Sequence, residues 1–495
     1  MFRSFNLVTD PWIKLIDNQT ASLRDFFDRD AAPELGGTPI QRLIVFRLLL
    51  AITYQACPLE MEEDYEELTV KEMRQKVLTY LEMHQKQFEL FDEEHPFLQH
   101  PGITTENAKK FFPLEAFVPG ICYGNATVLF SSNEMTQTLS DSDVVYALLQ
   151  VVTFGMGGKK PEKELVFTPG YTKKSASPSP ALGRGWLHTF ALGVDVFESL
   201  RLNLFSEELF DEATLSFLKK RIGKAPWEDM PTKEIGPEAD AYTSSLMGWL
   251  VPIARFCRLT PQGLALTSGI EYPKIETGDC DLSVSTKETG NGAKAKITAL
   301  RAQTKIAPWR QVEAVLAFFG YPEKQAGCRG LRLVLSKRQR GMSAIWCVGM
   351  QVSEQSGEQY FSGTDDFVES VFKVNPEQLT PTFLIKYVAQ LEQFERVRIT
   401  LYTCVTKFYE FLNAKDLGQK MASKAQELFW VKCSPIGVQM VEAYAQGQDV
   451  NFEKQIWVVA QTTYSQVCSK KVGARQFMAY EKYRPRFNLK KVAKK

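Results

Sequence analysis

The sequence predicts an α+β protein, with a large mixed N-terminal α/β domain (residues 1–375) followed by a C-terminal four-helix bundle (residues 376–495). Three observations predict this class. Apolar residues recur at helical spacing in several segments between residues 39 and 204, short alternating runs typical of strands fill residues 245–371, and the strand pattern stops after Pro376. With 495 residues, 44% hydrophobic and 24% charged, the chain has the composition of a folded protein and is long enough for two cores.

The strongest helix start in the N-terminal part lies at Thr38 and Pro39. Thr38 is a good cap residue, and Pro39 suits the first helical position because no amide hydrogen is needed there. The helix that follows, through residue 57, is apolar on most sides and should be buried, and Arg47 within it makes a membrane crossing costly. Amphipathic helices are predicted by the same spacing over residues 66–91, 141–152 and 193–204.

Short runs rich in aliphatic and aromatic residues predict strands in the second half of the α/β domain. The three clearest are Leu331–Ser336, Ala344–Val352 and Gln359–Phe361. The polar segment Ser353–Glu358, which contains a glycine, has the composition of a hairpin tip between the last two strands.

Beyond Pro376 the apolar residues return to helical spacing. They predict four helices, over residues 381–412, 417–431, 435–445 and 452–472, with a break at Ser434-Pro435. Short connections between four helices predict an antiparallel bundle.

The cysteines and histidines show no pattern of a metal site. The nine cysteines lie far apart without a C-x-x-C pair, and the four histidines form neither H-x-x-x-H nor H-E-x-x-H. We therefore expect no disulfide framework, no metal and no cofactor. Because the first residues, MFRSFNLVTDPW, lack the apolar segment of a secretion signal, we expect a cytoplasmic protein without membrane association.

The segment TFGMGGKK, residues 153–160, has the glycines and lysines of a phosphate-binding loop. A Walker A loop needs a hydroxyl residue where Lys160 stands, and the G-x-G-x-x-G spacing of dinucleotide folds is missing, so nucleotide binding is disfavoured. Two alternatives stay open. One is a glycine turn before a mobile loop, and the other is a backbone that lies against a nucleic-acid groove.

Positive charge is concentrated in three segments, although the formal net charge is only +1. They are residues 159–184, residues 336–341, and the tail 470–495, in which Glu481 is the one acid. Such charge is either a solvated surface or the localised footprint of a polyanion.

We expect a protein that is not an enzyme, because no catalytic constellation stands out. The G-x-S-x-G motif is absent, and Glu354 has no evident acid partner. Two alternatives remain. One is a hydrolase that uses residues 155–185 as a lid and depends on Glu354 or His188, and the other is a helical or α+β scaffold.

An ordered set of motifs is similar to a known family. The set comprises FNLVTDPWIKL with SLRDFF after it, EHPFLQ at 94–99, VLFSSN at 128–133, FGMGG at 154–158, LRLNL at 200–204 and APW at 307–309. In this order the motifs resemble the large subunit of Cascade, the CasA family of type I-E CRISPR surveillance complexes. The resemblance covers most of the chain, and its N-terminal motifs are the most specific.

The resemblance implies a nonenzymatic subunit that binds double-stranded target DNA, the CRISPR guide RNA, the other Cascade subunits and a helicase-nuclease effector. Family members recognise the protospacer-adjacent motif (PAM) mostly from the minor groove. They use a glycine loop, a lysine finger and a hairpin that wedges a glutamine into the duplex. A G·C pair adds only one amino group to the minor-groove pattern, so the implied readout is permissive.

The resemblance also implies which residues meet the PAM. The glycine loop is similar at Gly157 and Gly158, which would lie at the base edges, with Lys159 and Lys160 beside them. The lysine finger falls nearest Lys274, in GIEYPK. The clustered cysteines that some family members carry ahead of this lysine are absent here.

The wedge is similar to the hairpin tip, at Ser353, Glu354, Gln355 and Ser356. Gln355 is the inserted side chain by this resemblance, and Glu354 is the alternative. The loop that reaches the 5′ end of the guide RNA and the neighbouring subunits is similar at Phe130, Ser131 and Asn133. Ordinary alternatives are a solvated hairpin residue for Gln355, a surface lysine for Lys274 and a core aromatic for Phe130.

Overall fold

The structure of the protein is a computed structural model. It describes residues 4–114, 139–154, 158–159, 165–171, 175–176, 184–273, 275, 277–278, 280–290, 296–319, 326–352, 367–469 and 473–487. These described residues form fifteen α-helices. In chain order they are α1 (Leu23–Asp28), α2 (Pro39–Ala56), α3 (Glu62–Glu67), α4 (Val70–Met83), α5 (Asp141–Thr153), α6 (Val196–Leu202), α7 (Glu212–Phe217), α8 (Pro237–Thr243), α9 (Leu246–Leu250), α10 (Val312–Val315), α11 (Arg329–Lys337), α12 (Pro381–Phe411), α13 (Lys415–Ala445), α14 (Glu453–Val467) and α15 (Ala474–Tyr483).

The strands form small antiparallel sheets. In chain order they are β1 (Ile13–Lys14), β2 (Thr20–Ala21), β3 (Phe111–Phe112), β4 (Gly158–Lys159), β5 (Ser175–Ala176), β6 (His188–Leu192), β7 (Arg255–Thr260), β8 (Gly263–Ser268), β9 (Ser285–Thr289), β10 (Lys296–Ala299), β11 (Gly327–Cys328), β12 (Ala344–Met350) and β13 (Phe367–Lys373). Within the described ranges the strand orders are β1-β2, β4-β5, β3-β8-β7, β10-β9-β11 and β13-β12-β6.

The described residues fall into two compact units. The α/β unit comprises Met1–Thr304 and Glu323–Glu369, and the helical unit comprises Lys305–Pro322 and Ser370–Lys495. A mixed N-terminal part followed by a C-terminal bundle of four helices, α12 to α15, confirms the predicted fold class. That residues 1–375 and 376–495 are two domains, each of which folds alone, stays a prediction.

The central helix of the α/β unit is α2, and it begins where the sequence predicts. The Thr38 hydroxyl accepts a hydrogen bond from the Gln41 amide (3.3 Å), and the Gln41 side chain accepts one from the Thr38 amide (3.0 Å). Nearly every residue of α2 is buried, which is why its apolar residues follow no single face. The three predicted amphipathic helices correspond to α4 and α6, which are shorter than predicted, and to α5, which ends one residue later than predicted.

The sheet β13-β12-β6 contains the two strands between which residues 353–366 lie in the chain, β12 and β13. All seven residues of β12 are buried. β12 and β6 are antiparallel, with Trp346 opposite Phe190 and Val348 opposite His188. The end of β12 therefore lies beside the start of β6. The ring of Phe46 in α2 covers both strands, 5.0 Å from the Phe190 ring and 5.7 Å from the Trp346 ring.

The predicted strand Leu331–Ser336 is wrong, because these residues belong to helix α11. Leu331, Val334 and Leu335 are buried, a spacing of three and four that follows a helix face, whereas the alternation of Leu331 and Leu333 suggested a strand. The strand predicted at Ala344–Val352 is confirmed as β12. The strand predicted at Gln359–Phe361 lies outside the described residues.

The helical unit is built on two helices of 31 residues each, α12 and α13. Buried residues recur along α12 at helical spacing and include Tyr387, Phe394, Leu401, Val405 and Phe408. α13 and α14 pack against α12 and against each other, and α15 packs against α12. The core is thus formed by the apolar stripes of several helices.

The predicted break at Ser434-Pro435 is wrong, because α13 runs through both residues. A proline inside a helix costs roughly 3 kcal/mol, since it removes one backbone hydrogen bond and crowds the preceding turn. Pro435 is exposed, while Cys433 and Gly437 beside it are buried. The disrupted turn therefore faces solvent, and packing of the opposite face keeps the helix continuous.

A tryptophan from the segment 305–322 fills the core of the helical unit. Trp309 is fully buried, and its carbonyl accepts a hydrogen bond from the Tyr387 hydroxyl (2.8 Å). Its ring lies 5.2 Å from the Phe394 ring. A Cβ atom on Gly437 would lie only 2.3 Å from Trp309 Cδ2, so the absence of a side chain at Gly437 makes room for the indole.

Candidate nucleic-acid interface

The structure describes two of the predicted contact residues, Gly158 and Lys159, as the backbone of β4. β4 pairs with β5 in antiparallel register, Gly158 opposite Ala176 and Lys159 opposite Ser175. The other predicted contact residues lie outside the described residues: Gly157, Lys160, Lys274, Ser353, Glu354, Gln355, Ser356, Phe130, Ser131 and Asn133. The described residues next to these segments show which contacts hold the ends of the segments in place.

Arg184 connects the end of the glycine-rich segment 155–183 to the flanks of Lys274. Its guanidinium donates one hydrogen bond to the Pro273 carbonyl (2.5 Å) and another to the Ile275 carbonyl. These two carbonyls stand on either side of position 274 in the chain. The guanidinium also lies over the ring of Trp186, 5.3 Å from its centroid, and this tryptophan is buried.

Gly185 lies against the residues that precede the predicted wedge. Its φ angle is +70°, which favours glycine, and a Cβ atom there would lie 3.0 Å from the Met350 carbonyl oxygen and 3.1 Å from a Val352 methyl. Val352 is the last described residue before the segment 353–366. The Gly185 carbonyl also accepts a hydrogen bond from the Ala302 amide (2.9 Å). The described flanks of two predicted PAM segments, position 274 and the wedge, therefore lie against Arg184 and Gly185, which follow the glycine-rich segment 155–183 in the chain.

Glu234 anchors the middle of the glycine-rich segment. Its carboxylate is buried and accepts hydrogen bonds from the backbone amides of Phe167 (3.0 and 3.2 Å) and Thr168 (2.7 Å). The Thr168 hydroxyl in turn accepts a hydrogen bond from the Glu234 amide (3.1 Å), and the Glu234 carbonyl accepts one from the Glu271 amide (2.8 Å). One residue thus joins the segment 165–171 to the chain that leads to Lys274.

A buried histidine provides a second anchor for the same segment. The ring of Phe167 stacks on His100, with 3.7 Å between ring centroids. Nε2 of His100 lies 2.9 Å from the Thr232 carbonyl, and burial lowers the pKa of His100 although this carbonyl acts in the opposite direction. A neutral ring suits the stacking contact.

The basic segment 336–341 presents less positive charge to solvent than the sequence suggested. Arg338 is 4% exposed, and its guanidinium makes two hydrogen bonds of 2.8 Å to the Glu62 carboxylate and one of 2.6 Å to the Leu204 carbonyl. It also lies over the Tyr65 ring at 3.3 Å. Arg338 therefore forms a structural ion pair with Glu62, and a side chain so enclosed does not bind a polyanion. Arg340, in contrast, is exposed.

The described part of the basic tail packs on the helical unit through its side chains. The ammonium of Lys482 lies 5.4 Å from the centroid of the Phe411 ring, and the Arg475 guanidinium donates to the Phe411 carbonyl (2.7 Å). Arg486 donates to the Glu481 carbonyl (3.1 Å). Residues 470–472 and 488–495 lie outside the described residues.

The buried polar cluster around His188 contains the residue types of a hydrolase but has the geometry of a structural network. His188 Nδ1 lies 2.9 Å from the Ser283 hydroxyl, which donates to Asp281 (2.7 Å), and Arg47 pairs with Asp281 at 2.8 Å. His188, Asp281 and Arg47 are at most 3% exposed, so all three side chains are shielded from solvent. Burial, and then the Arg47 charge, lower the pKa of His188 to about 3. A base with that pKa is a poor proton acceptor near neutral pH.

The described residues also bear on metals and membranes. No group of three or more His, Cys, Asp or Glu among them is placed to hold a metal ion. Eight cysteines are described, all as free thiols, and burial raises the pKa of Cys328 to about 12, which makes it a weak nucleophile. In the described ranges every helix is too short or too polar to span a bilayer.

Comparison with known proteins decides the family. The profile of the family described as CRISPR-associated protein Cse1 (CRISPR_cse1) matches residues 6–467. The chain belongs to the Cse1 family. The resemblance to the CasA family is thereby confirmed, because a solved member carries both names, CasA and Cse1. None of the curated protein sequences compared with the chain matches it.

Solved structures of Cse1 proteins share the fold at low sequence identity. They include CasA (Cse1) of Thermus thermophilus (18% identity, TM-score 0.68, 97% of each chain), Cse1 of Thermobifida fusca (16%, 0.69, 97% of this chain and 96% of that one) and a chain from a CRISPR RNA-guided surveillance complex (16%, 0.70, 97% and 99%). At these identities the similarity shows the fold alone.

The sequence did not predict Arg184 and Glu234, which anchor the segments of the candidate interface. Arg184 was grouped with the basic residues of 159–184, and its two backbone acceptors lie about ninety positions along the chain. Glu234 lies in a polar stretch, KEIGP, where nothing marks a buried carboxylate. The one available signal was the length of the irregular segment, because a long irregular segment inside a compact unit needs partners for its backbone groups.

Proposed function

We propose that this chain is the large subunit of a Cascade complex. In this proposal it recognises the PAM in double-stranded DNA, starts duplex opening and R-loop formation, and helps to recruit the helicase-nuclease that cuts the target. It works in the cytoplasm with the guide RNA and the other Cascade subunits, and it catalyses no reaction itself. Membership of the Cse1 family supports this proposal, as does the fold shared with a chain of an RNA-guided surveillance complex.

The observation that carries the proposal is the meeting point at Arg184 and Gly185. Two segments assigned to the PAM from separate parts of the sequence, position 274 and the wedge, have described flanks in contact with these two residues, which end the segment that begins with the glycine loop. A short DNA motif can be read by a glycine loop, a lysine and a wedge only if they reach the same few base pairs. Convergence of their flanks is therefore what PAM recognition requires, whereas a scaffold or a hydrolase lid does not require it.

The chemistry of the glycine loop suits a permissive reader. Glycine brings the backbone close to base edges, since any side chain would hold it away from the narrow minor groove. Insertion of Gln355 costs a few kcal/mol for each unstacked base step, and pairing of the guide RNA with the target strand offsets that cost. The basic residues of the tail and the helical unit, Lys482 among them, then hold the displaced strand.

The test is binding of target DNA by the guide-loaded complex, reconstituted with the wild-type chain or with Gln355→Ala. Duplexes with and without each candidate PAM are compared at several salt concentrations. Gln262→Ala is the matched control, because Gln262 is an exposed glutamine in the β7–β8 turn. We expect the wild type and the control to discriminate between PAMs, with affinity that falls steeply with salt. The Gln355→Ala complex should bind the duplex and form few R-loops.

Two results would contradict the proposal. Binding that is indifferent to the adjacent motif and to the presence of this chain would leave a scaffold role. Hydrolytic turnover that Glu354→Ala abolishes would make the chain an enzyme.

A further inference from the structure

We propose that the basic loop formed by residues 219–224 is a further DNA-binding surface of the α/β unit, which holds the phosphate backbone of duplex DNA and reads no sequence. This inference rests on the proposed function, because it takes target DNA as the ligand. The basic loop has the sequence KKRIGK and lies outside every segment that the family resemblance assigns to DNA or RNA. Its four basic residues are all exposed: Lys219, Lys220, Arg221 and Lys224.

The backbone of the basic loop is held by the chain around α9. The Lys220 amide donates to the Ser244 carbonyl (2.9 Å), and the Leu246 amide donates to the Arg221 carbonyl (2.7 Å). The φ angle of Arg221 is +53°, in the left-handed region that residues with a side chain rarely adopt. Contacts with the rest of the unit therefore fix the loop in a conformation that its own sequence does not favour.

Apolar residues fasten the basic loop to the core and leave its charges on the outside. Leu218 before the loop, Ile222 within it and Ala225 after it are buried. A Cβ atom on Gly223 would lie only 2.4 Å from the Cβ atom of Ser245, so a glycine is needed for this close approach. The buried residues alternate with the basic ones, and the basic side chains thus lie on the solvent side of a fixed backbone.

Carboxylates beside the basic loop neutralise it only in part. Arg221 lies 3.1 Å from Glu207, and Lys224 lies 3.8 Å from Asp229. The side chains of Arg221 and Lys224 are 50% and 74% exposed, and ion pairs so exposed to solvent are weak. The two other lysines of the loop form no ion pair with a carboxylate in the described part of the chain. A phosphate group would therefore displace weak pairs at most.

The surface around the basic loop favours duplex DNA over a protein or a single strand. A protein interface buries an apolar centre, and proteins that bind single strands stack the bases on aromatic rings. Residues 205–230 are all described, and none of their large apolar or aromatic side chains is exposed. Duplex DNA needs neither feature, because its outer surface is a regular row of phosphates that exposed cations bind by charge.

The experiment measures how the affinity of the guide-loaded complex for duplex DNA depends on salt. The wild type is compared with the triple variant Lys219→Ala/Lys220→Ala/Lys224→Ala. The control variant Arg24→Ala/Lys71→Ala/Lys76→Ala removes the same charge from exposed positions on α1 and α4. Each phosphate contact contributes about 0.9 to the slope of log affinity against log salt, so the loop variant should have a slope that is shallower by about 2.7. Its affinity should fall equally for duplexes with and without the preferred PAM.

A slope that is unchanged in the loop variant, or equally reduced in the control variant, overturns the inference. PAM discrimination reports on the proposed function separately. A wild-type complex that binds all duplexes alike contradicts the proposed function, while a shallower slope of the loop variant still supports the loop as a DNA-binding surface. A wild-type complex that binds no duplex overturns both.

A variant that gains affinity covers the case in which the triple variant unfolds. Asp229→Asn removes the carboxylate nearest Lys224 and should raise the affinity at low salt by up to about fivefold, since it releases a weak pair. Glu66→Gln, at an exposed position on α3, is its control and should change the affinity little. An affinity that Asp229→Asn leaves unchanged or lowers would count against the loop, because unfolding cannot produce the expected gain.

Discussion

Replacement of Glu234 with alanine should release the middle of the glycine-rich segment without unfolding the α/β unit. The carboxylate is the acceptor for the amides of Phe167 and Thr168, at 2.7 to 3.2 Å, and it is buried. Removing it leaves two amides without their acceptor in a site shielded from bulk water. The segment 165–171 then opens more often than in the wild type.

The size of the effect follows from these two amides. A hydrogen bond to a charged group contributes about 1.5–3 kcal/mol, so two of them give about 3–6 kcal/mol as the upper range. Water that enters the space left by the carboxylate restores part of this loss. We therefore take about 3 kcal/mol, which corresponds to a roughly 150-fold larger equilibrium constant for opening at these amides. Glu234→Gln keeps one acceptor oxygen and should lose about half as much free energy.

Hydrogen exchange followed by mass spectrometry measures this opening on a peptide that covers residues 165–171. Lys233→Ala serves as the control, because Lys233 is the exposed neighbour of Glu234. Exchange in Glu234→Ala should be faster in this peptide and unchanged in peptides from β12. Equal protection in the wild type and in Glu234→Ala would refute the anchoring role. Faster exchange throughout the α/β unit would show a global loss of stability in place of a local anchor.

Two further predictions concern stability. Gly437→Ala places a methyl group 2.3 Å from the Trp309 ring, and such overpacking should lower the free energy of unfolding by about 1–3 kcal/mol or more in urea melts, whereas Gln439→Ala on the exposed side of α13 should change it little. His188 stays neutral in the folded protein down to about pH 3, while the unfolded chain takes up the proton near pH 6.5. Between these two values the folded state should therefore lose about 1.4 kcal/mol per pH unit as the pH falls, and urea melts of His188→Gln should show a shallower dependence by that amount. An equal slope in the two proteins would contradict a buried neutral histidine.

The sequence predicted correctly the helices and strands that are determined by residues close to one another in the chain. The cap at Thr38 and the apolar helix α2 followed from residue types within one or two turns. The strand predicted at Leu331 failed because three leucines and a valine fit both periods over so short a run, and burial decides between them. The break predicted at Pro435 failed because packing along α13 outweighs a local preference.

The sequence predicted candidate contact residues of the interface, but it did not predict the residues that hold the flanking segments in place. Gly157, Lys274 and Gln355 were assigned through resemblance to a family, and their roles stay predictions. Arg184 and Glu234, which tie the flanking segments together, act on partners far along the chain, and a single sequence carries no mark of such pairing. Long-range hydrogen bonds to backbone groups are specified by the fold, because every residue type supplies a carbonyl and every type except proline supplies an amide hydrogen.

The insertion of residues 305–322 into the helical unit fixes an order of events during synthesis. Trp309 leaves the ribosome before α12 and α13, whose rings and Gly437 receive it. At a synthesis rate of about 5–20 residues per second, the indole waits roughly 6 to 26 s for residue 437 to be made. During that interval the nascent chain carries Trp309 without the helices that bury it in the folded protein, so the core of the helical unit closes only when α13 has been made.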